Sequence, residues 1–492
     1  MAKLKILFVS SEVRPYAMCG GLGDVSGSLP VYLADRGHDI RVLMPGYGTI
    51  SELQSFKKHE KPLGIPTGYG EFWSQLVEDR LQKSNVPVYF INHLGLFGRN
   101  GLYGDDNGEF GDNLMRFTVL SKGAIQLCHY LGWYPDLIHC NDWQTALIPA
   151  FLNTNDFARK TAKIATLLTI HNLGYQGYFP ADSWNATGLP WHLFNHLGYE
   201  YNNSLNLLKG GIYHSTLINT VSTTYSHEIQ TPERGEGLDG VLRDRGASLY
   251  GILNGIDEKA WDPATDKYLD YHFSKNSLEG KGKCKTALQK KLGLEQRSDR
   301  PLVAIISRLA YQKGLDVVAS VIKRLLEFDL QFVLVGTGDS QLENYYRSLN
   351  KFYPGKFKAI IDFNTPLAHQ IEAGADLFLM PSRYEPCGLN QIYSLRYGTL
   401  PIVRATGGLA DTVSNYDEAT ETGTGFKFWD LSGHAILGVT KWALDIYKYK
   451  PASFQKMQIR AMEQNTGWQK AASEYEELYN KAIWQRTSSV HL

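Results

Sequence analysis

The sequence predicts an α/β protein built from two Rossmann-like domains, and three observations carry that prediction. The chain has 492 residues, too long for one typical hydrophobic core. Short apolar runs of strand length, such as Leu4–Ser10 and Leu302–Ile306, alternate with amphipathic stretches of helical period. Strand after strand also ends in a polar or glycine-rich turn, and that is the edge where open parallel sheets bind ligands.

Composition narrows the function classes. Lys plus Arg equals Asp plus Glu at 50 each, so no global field favours nucleic acid or an anionic membrane. The 29 Tyr, 21 Phe and 10 Trp leave aromatic surface for flat ligands such as sugar rings, although most must be core. Five cysteines, Cys19, Cys128, Cys140, Cys284 and Cys387, are scattered without CxxC spacing, which suggests neither a disulfide framework nor a zinc site. The opening MAKLKILFVSSEV is too short an apolar run for a signal peptide, and no segment approaches the roughly 20 apolar residues of a membrane span. The expectation is a reduced, cytoplasmic protein.

In the first half, Leu4–Ser10 predicts a strand, and a glycine-rich loop from Pro15 leads into a helix through Leu33. Asp39–Met44 is the next strand. The spacing Gly21-x-Gly23-x-x-Ser26 lacks the third glycine of a dinucleotide fingerprint, so a nicotinamide enzyme is disfavoured. A tight strand-to-helix turn, or a loop whose amides approach a phosphate, both fit. Residues 55–110 read as hairpins and loops laid over the core. Asp112 is the expected N-cap of a helix over Leu114–Leu131. The strands Asp136–Cys140, Ile164–Ile170 and Leu217–Val221 then end in Asn141-Asp142-Trp143, in His171-Asn172-Leu173 and in Ser222. Three polar strand ends on one rim point to a site.

Asn254-Gly255 and Asp262-Pro263 break regular structure and place a hinge between Gly251 and Pro263. The expected division is 1–253, 254–465, and a terminal segment 466–492. A helix over roughly Gln469–Trp484 in that segment packs back on the first domain. In the second half the strand Leu302–Ile306 is followed by Arg308 and Lys313. These cations, five apart on a loop and helix start, suit a diphosphate, the Arg as a fork and the Lys as a point charge. Gly336-Thr337-Gly338 again falls short of the dinucleotide pattern. The stretch Ala373–Asp411 reads as strand, loop, helix, strand, loop. Its turn Arg383–Gly388 puts Glu385 at a strand's carboxyl end, just before a helix N-terminus near Gly388. HExxH, EF-hand, Walker and GxSxG signatures are all missing, so no metal, cofactor or serine nucleophile is called for.

Several motifs fall in order along the chain: GGLGDV (Gly20–Val25), NDW (Asn141–Trp143), HNLGYQG (His171–Gly177), NGID (Asn254–Asp257), SRLxxQKG (Ser307–Gly314), EPCGL (Glu385–Leu389) and TGGLADT (Thr406–Thr412). Together they resemble the bacterial and plant glycogen and starch synthases, ADP-glucose-dependent retaining glycosyltransferases of family 5 with the GT-B fold. The resemblance covers essentially the whole chain. It implies two Rossmann-like domains facing across a deep cleft, with ADP-glucose bound mainly by the second and an α-1,4-glucan acceptor mainly by the first. It also implies glucose transfer to the glucan's non-reducing end, with no nucleic acid or membrane partner.

Carried over motif by motif, Arg308 and Lys313 neutralise the departing diphosphate, and the Gly388 and Leu389 amides support the phosphates or sugar. Glu385 holds donor hydroxyls at the reacting centre and is not assigned as a nucleophile. His171 and Asp142 sit on the acceptor side, with His171 stabilising the positive sugar ring through its carbonyl or side chain. Gly20, Gly21, Asp24, Trp143, Tyr175, Asn254, Cys387, Thr406, Gly407 and Gly408 are implied as substrate-binding.

One position departs from the pattern. Where the family carries the lysine of Lys-x-Gly-Gly-Leu, this chain has Met18, so one of three expected cations is missing. Either the remaining cations suffice for turnover, or the chain is a glucan-binding or regulatory paralogue with weak turnover. A GT-B enzyme with another acceptor is the third alternative.

Overall fold

The structure, a computed structural model, describes residues 3–81, 84–106 and 108–489. The outermost positions of the expected domains, 1–2 and 490–492, lie outside the described residues. The chain divides into two units, Met1–Asn254 with Trp468–Leu492, and Gly255–Gly467. Among the described residues no helix is long and apolar enough to cross a membrane.

The first unit is built on one ten-stranded sheet. From edge to edge it runs Leu249–Gly251, Leu217–Thr220, Ala165–Ile170, Leu137–Asn141, Lys5–Val9, Asp39–Pro45, Pro87–Asn92, Gly70–Arg80 and Lys57–Lys58, and Leu63–Thr67 also pairs with Gly70–Arg80. Neighbours are parallel as far as Pro87–Asn92. Ile6 to Val9 are fully buried, because helices cover both faces, and such strands read as continuous apolar runs instead of alternating ones.

Two expectations need correction here. Residues 55–110 do not merely lie over the core. Pro87–Asn92 adds to the parallel sheet beside Asp39–Pro45, and Gly70–Arg80 returns antiparallel to it. The apolar run Val88–Ile91 is core, hidden from a composition reading by the Gly- and Pro-rich sequence around it. Asp112 does stand at the N-cap of the helix Asn113–Leu131, yet its side chain caps nothing. Its carboxylate accepts from Arg99 Nη2 at 2.6 and 2.8 Å, a charge-assisted bond that outcompetes a neutral amide.

The terminal helix Trp468–Ser489 belongs to the first unit. Its Tyr475 and Tyr479 close a buried network across three strands. Tyr479 Oη meets His139 Nδ1 at 2.8 Å, and His139 Nε2 meets Thr169 Oγ1 at 2.6 Å. Thr169 in turn donates to Asn219 Oδ1 at 2.6 Å, and Asn219 Nδ2 donates to Tyr475 Oη at 3.2 Å. The carbonyl oxygen of Asn219 only accepts, so Thr169 spends its proton there and takes one from His139 Nε2. His139 Nδ1 is therefore bare and receives the Tyr479 proton. Burial holds His139 well below its usual pKa, and the neutral ring fits both partners.

The second unit carries a six-stranded, all-parallel sheet in the order Phe357–Ile360, Gln331–Val335, Leu302–Ile306, Leu377–Met380, Leu400–Arg404, Phe426–Phe428. Helices Leu315–Leu325 and Gly433–Tyr449 cover one face through Val318, Ile322, Ile436 and Ala443. Leu288, Leu367 and Ile371 cover the other.

Candidate active site

Both sheets change direction once, and each change opens a crevice at the carboxyl ends of two adjacent strands, where α/β proteins bind ligands. In the first unit the chain builds outward from Lys5–Val9 to one side, then returns to Leu137–Asn141 on the other. In the second it builds outward from Leu302–Ile306, then returns to Leu377–Met380. The candidate residues lie in the loops leaving these four strands and their neighbours.

At the first switch point Asp142 follows Leu137–Asn141 with φ 54° and ψ −171°, a conformation that costs a non-glycine residue about 1–3 kcal/mol. What holds it there is its own side chain, whose Oδ1 accepts from the His171 amide at 2.7 Å. Burial drives this carboxyl up to about 7 against the lowering by the His171 and Asn172 amides, and the charge of Glu12 adds to the rise. Asn141 donates Nδ2 to Val9 O at 2.9 Å, which turns its Oδ1 toward His171 Nε2, also at 2.9 Å. That oxygen accepts the Nε2–H. Desolvation of the imidazole, set below the rim, pushes His171 down to about 3, although the residue as a whole is half-buried. His171 and Asp142 are thus brought together through the His171 backbone amide, with the imidazole neutral.

The other first-unit candidates divide. Tyr175 is 53% exposed. Asp24 is held by Arg14 at 2.9 Å. The Gly20 amide donates to Glu12, so it is turned inward. Asn254, the last residue of the unit's first segment, is buried, and its Oδ1 has no partner among the described residues. Trp143, implied as substrate-binding, is 8% exposed, and its ring packs against Phe117 and Phe179. A β-carbon on Gly177 would come within 2.5 Å of that ring, so Trp143 supports the His171–Gly177 turn from beneath.

At the second switch point Lys313 Nζ reaches both oxygens of Glu385, at 2.8 and 2.6 Å, and Ser382 Oγ donates to Oε2 at 2.9 Å. Glu385 is 4% exposed and Lys313 is half-buried, so the pair is partly shielded from water. Arg308 is exposed and makes no ion pair among the described residues. The two loops are stitched together by Arg383, which forks onto Asp316 at 2.6 Å twice and lies 3.7 Å above the Tyr311 ring. Sequence reasoning missed that lock, because residues 67 apart carry no local signal.

The helix after Glu385 starts later than expected, at Asn390, since Gly388 takes the left-handed φ of 73°. Among the described residues neither the Gly388 nor the Leu389 amide has an acceptor. Thr406-Gly407-Gly408 wall the same turn. The Gly408 amide donates to Glu385 O at 3.0 Å, and a β-carbon on Gly407 would sit 2.0 Å from that oxygen. Cys387 is buried behind it. Another feature the sequence did not reveal is Trp261, stacked 3.7 Å from both His369 and Tyr393, which braces the helix Asn390–Arg396.

An exposed cation and a Lys–Glu pair at the switch point of the second unit's sheet suit the binding of an anionic group. Comparison with known proteins agrees. The starch synthase catalytic domain model matches residues 5–244, and the glycosyl transferases group 1 model matches residues 289–429. Glycogen synthase 1 of Geobacter metallireducens is 47% identical over 99% of this chain and 97% of its own length. Glycogen synthase of Treponema denticola is 42% identical over 99% of this chain and 100% of its own. The catalytic domain of starch synthase IV from Arabidopsis thaliana, solved with ADP and acarbose, superposes with TM-score 0.91 at 31% identity, covering 98% of this chain and 100% of that one. Sucrose-phosphate synthase of Thermosynechococcus elongatus shares the fold alone, with TM-score 0.59 at 17% identity.

The protein is a glycosyltransferase of the GT-B fold. More particularly, the chain belongs to the glycogen and starch synthase family, enzymes that add glucose units in glycogen synthesis.

Proposed function

We propose that this chain transfers glucose from ADP-glucose to the non-reducing end of an α-1,4-glucan with retention of anomeric configuration. The donor is held mainly by the second unit and the glucan mainly by the first. The observation that carries this reading is the trio Arg308, Lys313 and Glu385 at one switch point. Arg308 has no anionic partner among the described residues and is set to fork onto a diphosphate. Lys313 rests on Glu385 and is available to a stronger anion as charge builds on the leaving ADP. The ADP in the starch synthase IV structure supports a nucleoside diphosphate as leaving group here.

Glu385, fixed by Lys313 and Ser382, holds donor hydroxyls. The Gly388 and Leu389 amides meet phosphate or sugar, while Cys387 and Thr406–Gly408 shape the turn. Stabilising charge that develops on the leaving group is the largest catalytic contribution, and one such contact is worth about 3–4 kcal/mol. His171 stays neutral and contributes a carbonyl or ring dipole beside the transferred glucose, with Asp142 fixing its backbone. A donor panel of ADP-glucose, UDP-glucose and GDP-glucose with a maltooligosaccharide acceptor tests the reading. Incorporation from ADP-glucose, with the new linkage α by NMR, is expected. Preference for another nucleotide, or a β linkage, contradicts it.

Met18 is the specific observation favouring a second reading. It is 43% exposed and uncharged, and the nearby Arg14 is taken by Asp24, so the glycine-rich loop brings no free cation. A paralogue that binds glucan and turns over weakly would show normal glycogen affinity without incorporation above an Arg308→Ala control.

A further inference from the structure

Two bridges join the loops that carry Lys313 and Glu385, and turnover treats them differently. The first is the Lys313–Glu385 ion pair itself. On the reading above, Lys313 turns from Glu385 to the departing diphosphate, so this bridge opens as the reaction proceeds. The second is Arg383, which among the described residues bonds to neither of those side chains. Its backbone amide donates to Gln312 O at 2.8 Å and its Nη1 to Tyr311 O at 2.7 Å. Its two Nη atoms fork onto Asp316 at 2.6 Å each. Tyr311, Gln312 and Asp316 lie on both sides of Lys313 in sequence. Gln312 returns the contact through Nε2 to Tyr384 O at 3.3 Å. From behind, Arg404 donates Nη1 to Arg383 O at 2.7 Å and Nε to Trp429 O at 2.9 Å, which anchors Arg383 to the ends of the last two strands of the sheet. Gly314, with φ 68°, is pressed against the strand Leu377–Met380, since a β-carbon there would lie 2.1 Å from Pro381 O.

The far end of the fork is open to water, because the Asp316 side chain is 45% exposed, and such ion pairs add little to stability. The geometry is nevertheless bidentate, the Tyr311 ring covers the guanidinium at 3.7 Å, and the Arg383 side chain is only 16% exposed. We propose that Arg383 is a positioning residue, which holds residues 311–314 against the Glu385 turn while Lys313 passes from the carboxylate to the diphosphate. The inference rests on the donor reading above. A lysine ammonium on its flexible stem reaches only where its backbone places it. Without Arg383 the opened ion pair leaves the two loops free to part, and a displacement of about 1 Å is worth about 10²-fold in rate. In the resting enzyme Lys313 and Glu385 still hold each other, so the loss is felt most once charge has built on the leaving group.

A double-mutant cycle with Lys313 separates positioning from general support of the fold. Arg383→Ala is expected to lower kcat for glucose transfer from ADP-glucose about 10- to 100-fold, with the donor KM within about threefold of wild type. In a Lys313→Ala background the same change lowers kcat by no more than about twofold further, because the group it positions is already gone. Losses that multiply in full overturn the proposal, and so does an Arg383→Ala enzyme with wild-type kcat. Should Arg383→Ala fail to fold, Asp316→Asn takes its place in the cycle, since it breaks the fork at its exposed end. Its kcat is expected to fall at least about threefold, and an unchanged kcat overturns the proposal. A wrong donor assignment looks different. The folded wild type then gives no incorporation from ADP-glucose, and the cycle is read on the affinity for inorganic pyrophosphate by calorimetry. Arg383→Ala is expected to weaken that binding about fivefold or more, and no further once Lys313 is Ala. Equal affinities of wild type and Arg383→Ala overturn the proposal on that readout.

Discussion

The two switch points of this molecule solve the same topological problem with opposite electrostatics. At the first, the side chains are driven toward neutrality. Burial raises Asp142 to about 7 and lowers His171 to about 3, and both are locked by hydrogen bonds to strand ends. At the second, oppositely charged side chains pair, Lys313 on Glu385, beside an exposed Arg308. A parallel sheet thus offers a crevice without dictating its chemistry. The loops decide whether its rim carries neutral or oppositely charged side chains.

The sharpest way to break this comparison is to remove charge from the second rim. Arg308→Ala and Glu385→Ala are each expected to cut kcat by about 10²–10³, with thermal melting almost unchanged for the exposed Arg308. Near-normal turnover in either, measured by glucose incorporation, would put the chemistry elsewhere.

Removing a neutral hydrogen bond from the first unit should do the reverse. Tyr479→Phe leaves the bare His139 Nδ1 buried without a donor, at a cost of about 1–3 kcal/mol in denaturant unfolding, while the donor KM stays put. A lost donor KM with intact stability would contradict the assignment of that network to structure.

Stability against pH sharpens the contrast further. His171 has its pKa lowered from 6.5 to about 3, so the unfolded chain binds the extra proton between those values, and this residue's contribution falls as pH drops through that window. Asp142 has its pKa raised from 3.8 to about 7, so the folded chain binds the extra proton, and its contribution falls as pH rises through that window. The slopes oppose where the windows overlap. Asp142→Asn removes one of them, and relative to wild type its stability is expected to rise with pH between 4 and 6 by up to about 1.4 kcal/mol per pH unit. Parallel curves for the two proteins would show that Asp142 is ionised in the fold.

Met18→Lys carries the smallest expected effect. A new cation on the glycine-rich loop should lower the donor KM or raise kcat about two- to fivefold, the size of one solvent-exposed charge contact. No change in either would place that side chain away from the donor.

The sheets were legible in the sequence because buried parallel strands are written as unbroken apolar runs, as in Leu302–Ile306 and Leu377–Met380. The polar strand ends Asn141, Asp142 and His171 were legible for the same reason, since each closes or directly follows such a run. Lys313 and Glu385 were placed in the turns beyond two others, but their ion pair was not foreseen. What was not legible is long-range. Arg383 on Asp316, Trp261 between His369 and Tyr393, and Glu12 beneath its own loop are contacts that only folding brings about. Asp112 misled because a cap position does not determine which donor its carboxylate takes.

The central claim is that positive charge at the second switch point draws off a nucleoside diphosphate. Incorporation of labelled glucose from ADP-glucose into a maltooligosaccharide, compared between wild type and Arg308→Ala, tests it most directly. The account predicts steady incorporation that drops about 10²–10³-fold in the variant. Equal rates in the two proteins, or no incorporation by a folded wild-type protein that still binds glycogen, would contradict it.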